Sequence, residues 1–130
     1  MSQSDSFDSG KGVTRGDVFP WRRRFTNLKG DYVIAARLTF KTSTAVADPG
    51  TLQKTISDIS NSDGVIEDTG QTSGITVVRF DFSAADTLLF TAGTEYVWDL
   101  ELSTDGGQVI TQLAGTVVWS EQVTVTSPTW

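Results

Sequence analysis

The chain has 130 residues, contains neither cysteine nor histidine, and carries a formal net charge of −6. This length suits one domain with its own core, and the missing residue types exclude disulfides, cysteine-ligated zinc, thiol nucleophiles and histidine bases. The acidic balance disfavours nucleic acid and anionic lipid as partners.

We predict that residues 1–14 form an extended polar N-terminal arm. Residues 1–12 are rich in serine and glycine, and Phe7 is their only aromatic residue. Such a stretch cannot offset its ordering entropy by burying apolar surface. Two interpretations stay open: a terminus without fixed structure, or an arm that becomes ordered on a neighbouring protein. In the second interpretation Phe7 is a candidate interface residue.

A tripeptide known from integrin ligands, Arg15-Gly16-Asp17, precedes the first predicted strand. Three residues occur together readily by chance, so the motif is weak evidence for receptor binding. We interpret it as a charged turn that leads into the strand.

The first predicted strand covers residues 18–25 and contains Pro20, which is typical of a strand start or a sheet edge. Period-two alternation places Arg22 and Arg24 on one face and Trp21 on the other. The two arginines either lie in solvent, where they protect an edge, or contact an acidic protein partner, and contact with a genome is the third alternative. Trp21 is a candidate interface anchor, with packing on its own domain as the alternative.

Alternation of apolar and polar residues continues through the rest of the chain and predicts further strands. The strongest runs are Tyr32–Lys41, Thr76–Phe82, Tyr96–Leu102 and Val109–Trp119, followed by a short strand at Gln122–Thr126. In these runs Trp98 and Trp119 lie on the core faces, Val109 shares a face with Trp119, and Gly115 is a candidate bulge.

The connecting segments are less uniform. Leu52–Ile59 fits a strand or a short helix, and we interpret Asn61–Gly74 as a long exposed loop. A single helical turn is predicted at Ser83–Leu88, with Ser83 as its cap. Asp105-Gly106-Gly107 lies between two alternating runs and predicts a hairpin.

Tyr96 begins one of these strands and follows Gly93 by three residues. In immunoglobulin-like domains a tyrosine at this place caps the preceding corner through its hydroxyl. We therefore predict a structural tyrosine corner at Gly93 and Tyr96, with an ordinary core aromatic as the alternative.

Acidic residues occur in two groups. An oxygen-rich cluster at Asp58, Asn61, Asp63, Glu67 and Asp68 lacks the spacing of an EF-hand, so a solvated loop or a cation site both remain open. Asp99 and Glu101 share the outward face of one strand, where alternation places them in water and gives neither pKa a reason to move. We predict no catalytic residues, no metal and no cofactor, and hence no enzyme.

The pattern of strands predicts an all-β fold. We expect an immunoglobulin-like or fibronectin III-like antiparallel β-sandwich of about seven strands over residues 15–126. Residues 127–130 then form a short C-terminal tail. Its Trp130 lies beyond Pro128, where packing on the home domain is difficult, and is a candidate interface anchor.

The order of motifs over residues 15–126 resembles the small immunoglobulin-like virion domains of tailed bacteriophages, including the amino-terminal domain of baseplate upper proteins. The segments that carry the resemblance are Arg15–Phe19, Asn27–Gly30, Thr87-Leu88, Ala92–Leu102, Asp105–Val117 and Val123-Thr124.

The resemblance implies a virion structural protein, made in the host cytoplasm, that binds other virion proteins. The expected partners are a major capsid protein or tail and neck proteins, and further copies of the chain in the particle. Capsid decoration, as a cement protein, is the leading expectation, and a tail, neck or baseplate adaptor is the alternative. A carbohydrate-binding β-sandwich, with Trp21 or Trp130 as its aromatic platform, is the alternative from another class.

Overall fold

Alternating apolar residues build two antiparallel sheets in the computed structural model, which describes residues 13–26 and 32–121. The elements of these residues are β1 (Phe19–Thr26), β2 (Val33–Lys41), β3 (Leu52–Ile56), β4 (Ser60–Asn61), β5 (Gly64–Thr69), β6 (Ile75–Phe82), α1 (Ala84–Thr87), β7 (Glu95–Thr104) and β8 (Val109–Val118).

The strand order is β1-β6-β5-β4 in the first sheet and β3-β2-β7-β8 in the second. Every neighbouring pair is antiparallel. This arrangement corresponds to strands B-E-D and C′-C-F-G of an immunoglobulin-like sandwich, with Greek-key crossings between the sheets. The prediction of an all-β sandwich is confirmed.

Aromatic rings fill the space between the sheets. The ring of Phe90 stacks on that of Trp119, with centroids 4.3 Å apart and planes 8° apart. Phe40 and Tyr96 each meet Phe90 edge-on, both with centroids 5.0 Å apart. Trp98 is buried as well. The core positions predicted for Trp98 and Trp119 are therefore confirmed.

The connection from β6 to β7 is held by local hydrogen bonds. The Ser83 hydroxyl accepts from the Asp86 N–H (3.1 Å), and the Asp86 carboxylate accepts from the Ser83 N–H (2.9 Å). This reciprocal capping box starts α1 and confirms the predicted helical turn with Ser83 as its cap.

Tyr96 closes the same connection. Its hydroxyl accepts a hydrogen bond from the Thr91 N–H at 2.8 Å, which is the contact that a tyrosine corner requires. Gly93 has a φ of +81° and donates its N–H to the Trp119 carbonyl at 3.0 Å. Glycine adopts this left-handed conformation without steric cost, so the corner can turn towards β8.

One prediction for the connecting segments needs correction. The expected loop over Asn61–Gly74 contains strand β5, where a bulge between Ile66 and Asp68 interrupts the alternation and conceals the strand in the sequence. Of the two alternatives for Leu52–Ile59, the strand is confirmed, since β3 covers Leu52–Ile56.

In β8 the irregularity lies at Gln112 and not at Gly115, because Leu100 pairs with Leu113 while Glu101 pairs with Thr111. This extra residue reverses the phase of the strand, so Val109 is 66% exposed and does not face the core. The predicted hairpin turn between β7 and β8 is confirmed by the bond from the Thr104 N–H to the Gln108 carbonyl (3.0 Å).

The N-terminal boundary also differs from its prediction. Val13 packs against the core, and Thr14 forms a parallel bridge with Ser120, so these two residues join the sandwich. The rest of the predicted arm with Phe7, the predicted strand Gln122–Thr126, and the tail with Trp130 lie outside the described residues.

We expect Tyr96→Phe to lower the free energy of unfolding by about 1–3 kcal/mol, because the Thr91 N–H loses its acceptor. Urea denaturation followed by tryptophan fluorescence measures the change. Tyr32→Phe, at a half-buried tyrosine outside the core cluster, is the matched control and should shift stability by less than about 0.5 kcal/mol. Equal effects of the two variants would contradict a role for the Tyr96 hydroxyl.

Candidate functional site

The inner face of the second sheet is mostly apolar, and most polar side chains of its strands lie on the outer face. In β7 the large side chains Trp98 and Leu100 are buried, so Val97, Asp99 and Glu101 point outwards. The cross-strand partners on β2 are Lys41 opposite Val97, Thr39 opposite Asp99 and Arg37 opposite Glu101. Two carboxylates are thereby placed among hydroxyl and basic side chains on one sheet surface.

A groove of about 470 Å³ crosses this face. Small residues of β8 leave the space for it, since Ala114 pairs with Asp99 and Gly115 with Trp98. The loop between β2 and β3 forms one wall and contributes Thr44 and Asp48. The groove thus results from a small-residue stretch beside a strand with longer side chains.

The wall of the groove is fixed by its own contacts. Lys41 Nζ lies 2.8 Å from Asp48 Oδ1, and this hydrogen bond lowers the pKa of Asp48. Gly50, at a φ of +70°, leaves no room for a side chain, because a Cβ there would lie 2.7 Å from the Phe40 carbonyl oxygen. The ion pair and the tight turn hold the loop against the sheet.

The pKa of Asp99 differs from the prediction made from the sequence. Burial raises the pKa of Asp99, the negative charge of Glu101 raises it further, and Lys41 opposes both effects. The neighbouring β8 and the loop remove water that alternation alone would have left around this carboxyl group. The expectation that its pKa has no reason to move is therefore wrong.

The groove can accept hydrogen bonds at Asp99 and Glu101 and donate them at Lys41 and Thr39. Carboxyl groups with a raised pKa occur often at functional positions, which makes Asp99 a candidate site residue, although alternation in the sequence had placed it in water. The periodicity of the sequence does not indicate that Asp99 is partly buried, because the residues that surround it, Ala114 and Gly115, belong to another strand.

Arg22 and Arg24 of β1 lie on the outer face of the first sheet. Arg22 forms a two-point ion pair with Glu67, at 2.6 Å from Nε and 2.9 Å from Nη2, and Arg79 reaches the same carboxylate at 3.1 Å. These bonds lower the pKa of Glu67. Arg24 is exposed. Arg22 therefore has an acidic partner within its own chain.

Trp21 lies in the core, with 4% of its surface exposed. Its ring meets the edge of Trp98 at 5.9 Å, and the guanidinium of Arg23 lies over it at 4.7 Å. This burial corrects the expectation that Trp21 anchors an interface or forms a sugar platform, because the residue packs on its own domain.

The tripeptide Arg15-Gly16-Asp17 is used internally. Arg15 Nε donates to the Phe90 carbonyl at 2.6 Å, and Arg15 Nη1 pairs with Glu121 at 2.7 Å. The Gly16 N–H donates to the Thr87 hydroxyl at 2.8 Å. These contacts hold the segment against the β6–β7 connection, which agrees with a charged turn.

The oxygen-rich cluster divides among separate local partners. Asp68 accepts from the Gly70 N–H and the Ser73 hydroxyl, and these bonds lower its pKa. Asp63 accepts from the Thr55 N–H at 2.9 Å. Among the described residues no group of three acidic, histidine or cysteine side chains is arranged to hold a metal ion.

Lys54 is a buried cation between the two sheets, with 5% of its surface exposed. Its Nζ lies 2.7 Å from Asp86 Oδ2 and 3.6 Å from Asp63 Oδ1. Burial acts to raise the pKa of Asp86, but the bonds from Lys54 and Ser83 together lower it. The lysine thus joins β3 to the capping box of α1.

Comparison with family models, curated proteins and solved structures finds no match to this chain. Within residues 13–26 and 32–121, no helix is long and apolar enough to cross a membrane.

We expect Asp99→Asn to stabilise the protein at neutral pH. A raised folded-state pKa means that the folded protein binds this proton more tightly than the unfolded chain, so stability falls as pH rises through that pKa. The variant removes the charge that burial disfavours, and its advantage should vanish in acid. Thermal unfolding across pH measures this. Glu95→Gln, an exposed carboxylate on the same strand, should leave the profile unchanged.

Proposed function

We propose that the chain is a structural protein of a tailed bacteriophage particle that binds other virion proteins, with capsid decoration as its role. The resemblance over residues 15–126 and the immunoglobulin-like sandwich support this proposal. The observation that carries the binding role is an apolar corner, defined as Val18, Leu88 and Leu89.

The apolar corner lies where the segment before β1 meets the segment after α1. The exposed fractions are 73% for Val18, 48% for Leu88 and 53% for Leu89. Asp17 and Thr87, the residues that precede Val18 and Leu88, are joined by a hydrogen bond of 3.0 Å. Three large apolar side chains at one end of an acidic domain indicate a contact surface.

The corner is ordered before any partner binds. The capping box fixes α1 on one side, and the Thr87 hydroxyl links Gly16 to Asp17 on the other. Arg15 adds its bond to the Phe90 carbonyl. A rigid surface loses little conformational entropy on association, which favours binding to repeated sites on a particle.

Aliphatic side chains make this corner suited to an apolar patch of a coat protein rather than to a sugar, whose hydroxyl groups need hydrogen-bonding partners. The carbohydrate alternative also loses its proposed platform at Trp21, which is buried. A tail, neck or baseplate adaptor would use the same kind of contact, and the position of the protein on the particle distinguishes it from a capsid protein.

The test uses phage particles assembled without this protein, to which the purified chain is added back. We expect Val18→Ser combined with Leu89→Ser to weaken co-sedimentation with the particles by at least about tenfold. Val46→Ser, at a 37% exposed valine in the β2–β3 loop, should bind as the wild type does. Electron cryomicroscopy of the restored particles separates the capsid from the neck and tail.

Unchanged binding by the double variant would contradict the role of the apolar corner. Binding of the wild type to a glycan array, with no binding to particles, would overturn the virion proposal and support the carbohydrate alternative. Circular dichroism of both variants checks that the sandwich is intact.

A further inference from the structure

Strand β8 lies at an edge of the second sheet and pairs with β7 on one side. The Trp119 carbonyl accepts from the Gly93 N–H, at the end of β8 nearest the tyrosine corner, whereas Ser120 bonds to Val13 and Arg15 on the opposite side. Because backbone groups alternate in direction along a strand, those of Ala114, Thr116 and Val118 point to the same side as those of Ser120. That side is the edge of the sheet.

Among the strands of residues 13–26 and 32–121, each of the other three sheet edges carries a feature that blocks pairing with another chain. β1 contains Pro20 and two outward arginines, and β4 is two residues long. On β3, Asp63 accepts from the Thr55 N–H and Asn61 donates to the Thr55 carbonyl at 2.8 Å. These features disfavour pairing of β1, β3 and β4 with strands of other molecules.

Within the part of the chain that the structure describes, β8 lacks a proline, charged side chains and a hydrogen-bonding cover, and its bulge at Gln112 leaves residues 113–118 as the regular part of the edge. Its ten residues, Val109–Val118, include no proline and no charged side chain. Val118 is 37% exposed, and Ala114 and Thr116 are exposed too. Just beyond the C-terminal end of β8, Ser120 already forms a parallel bridge with Thr14 of the segment before β1. The uncharged segment of β8 after the bulge is therefore a template for strand addition.

We propose that β8 pairs with β8 of a second copy of this chain, in antiparallel orientation about a two-fold axis. The formal charge of −6 makes two copies repel each other, so they approach best along a segment without charges. A two-fold axis places each residue of the strand opposite another residue of the same strand, and β8 offers no like charges to such a pair. The two second sheets then join into one sheet of eight strands. This proposal is independent of the proposed virion function.

Sedimentation equilibrium of the purified full chain tests the proposal. We expect a concentration-dependent monomer–dimer equilibrium, which Thr116→Pro weakens by at least about tenfold because it removes an edge-facing N–H. Thr116→Lys should weaken the dimer similarly by placing like charges near each other, and it keeps the backbone donor. Thr26→Lys, at an exposed threonine that ends β1, should leave the dimer unchanged.

A spin label gives a direct readout, since the chain has no cysteine and a single engineered one is labelled uniquely. A label at Thr116→Cys should report a short distance between copies, and a label at Thr26→Cys should not. A wild type that stays monomeric at every concentration would overturn the proposal. So would a dimer that Thr116→Pro and Thr116→Lys leave intact, or one that forms only after residues 1–12 are removed.

Discussion

The contact of Phe90 with its aromatic neighbours is the interaction on which the rest of the structure depends. Phe90 comes from the β6–β7 connection, yet its ring stacks on Trp119, which follows β8, and meets Phe40 of β2. Tyr96 packs against the same ring and binds the Thr91 N–H with its hydroxyl. The Phe90 side chain therefore joins the second sheet to the tyrosine corner and determines the position of that corner. Aromatic pairs have this effect because they combine a large buried area with a preferred geometry.

The apolar corner and the groove both follow from the way aromatic residues pack in the core. With Phe90 directed inwards, its chain neighbours Leu88 and Leu89 remain at the surface. In the same way the burial of Trp98 directs Asp99 outwards to the groove. Successive side chains of a strand point to opposite faces of the sheet. A strand that buries its large residues in the core must therefore expose the alternate residues to solvent.

The sequence was a good guide wherever alternation was unbroken and a poor one wherever a bulge intervened. β1, β2, β6 and β7 match their predicted strands closely, and the Ser83 cap and the β7–β8 hairpin turn lie where local residue chemistry places them. β5 escaped prediction because of its bulge, and Val109 was assigned to the wrong face because of the bulge at Gln112. The burial of Asp99 depends on Ala114 across the sheet, and such non-local effects leave no trace in a short window of sequence.

The ion pair of Lys54 with Asp86 has a consequence for how the domain opens. The same carboxylate oxygen of Asp86 binds the lysine of β3 and caps the first turn of α1. Fraying of this turn would move the Asp86 carboxylate away and leave the buried Lys54 ammonium group without its nearest partner, which is costly. We therefore expect the helical turn and the β3 edge of the second sheet to open as one cooperative unit, with their amide hydrogens exchanging together.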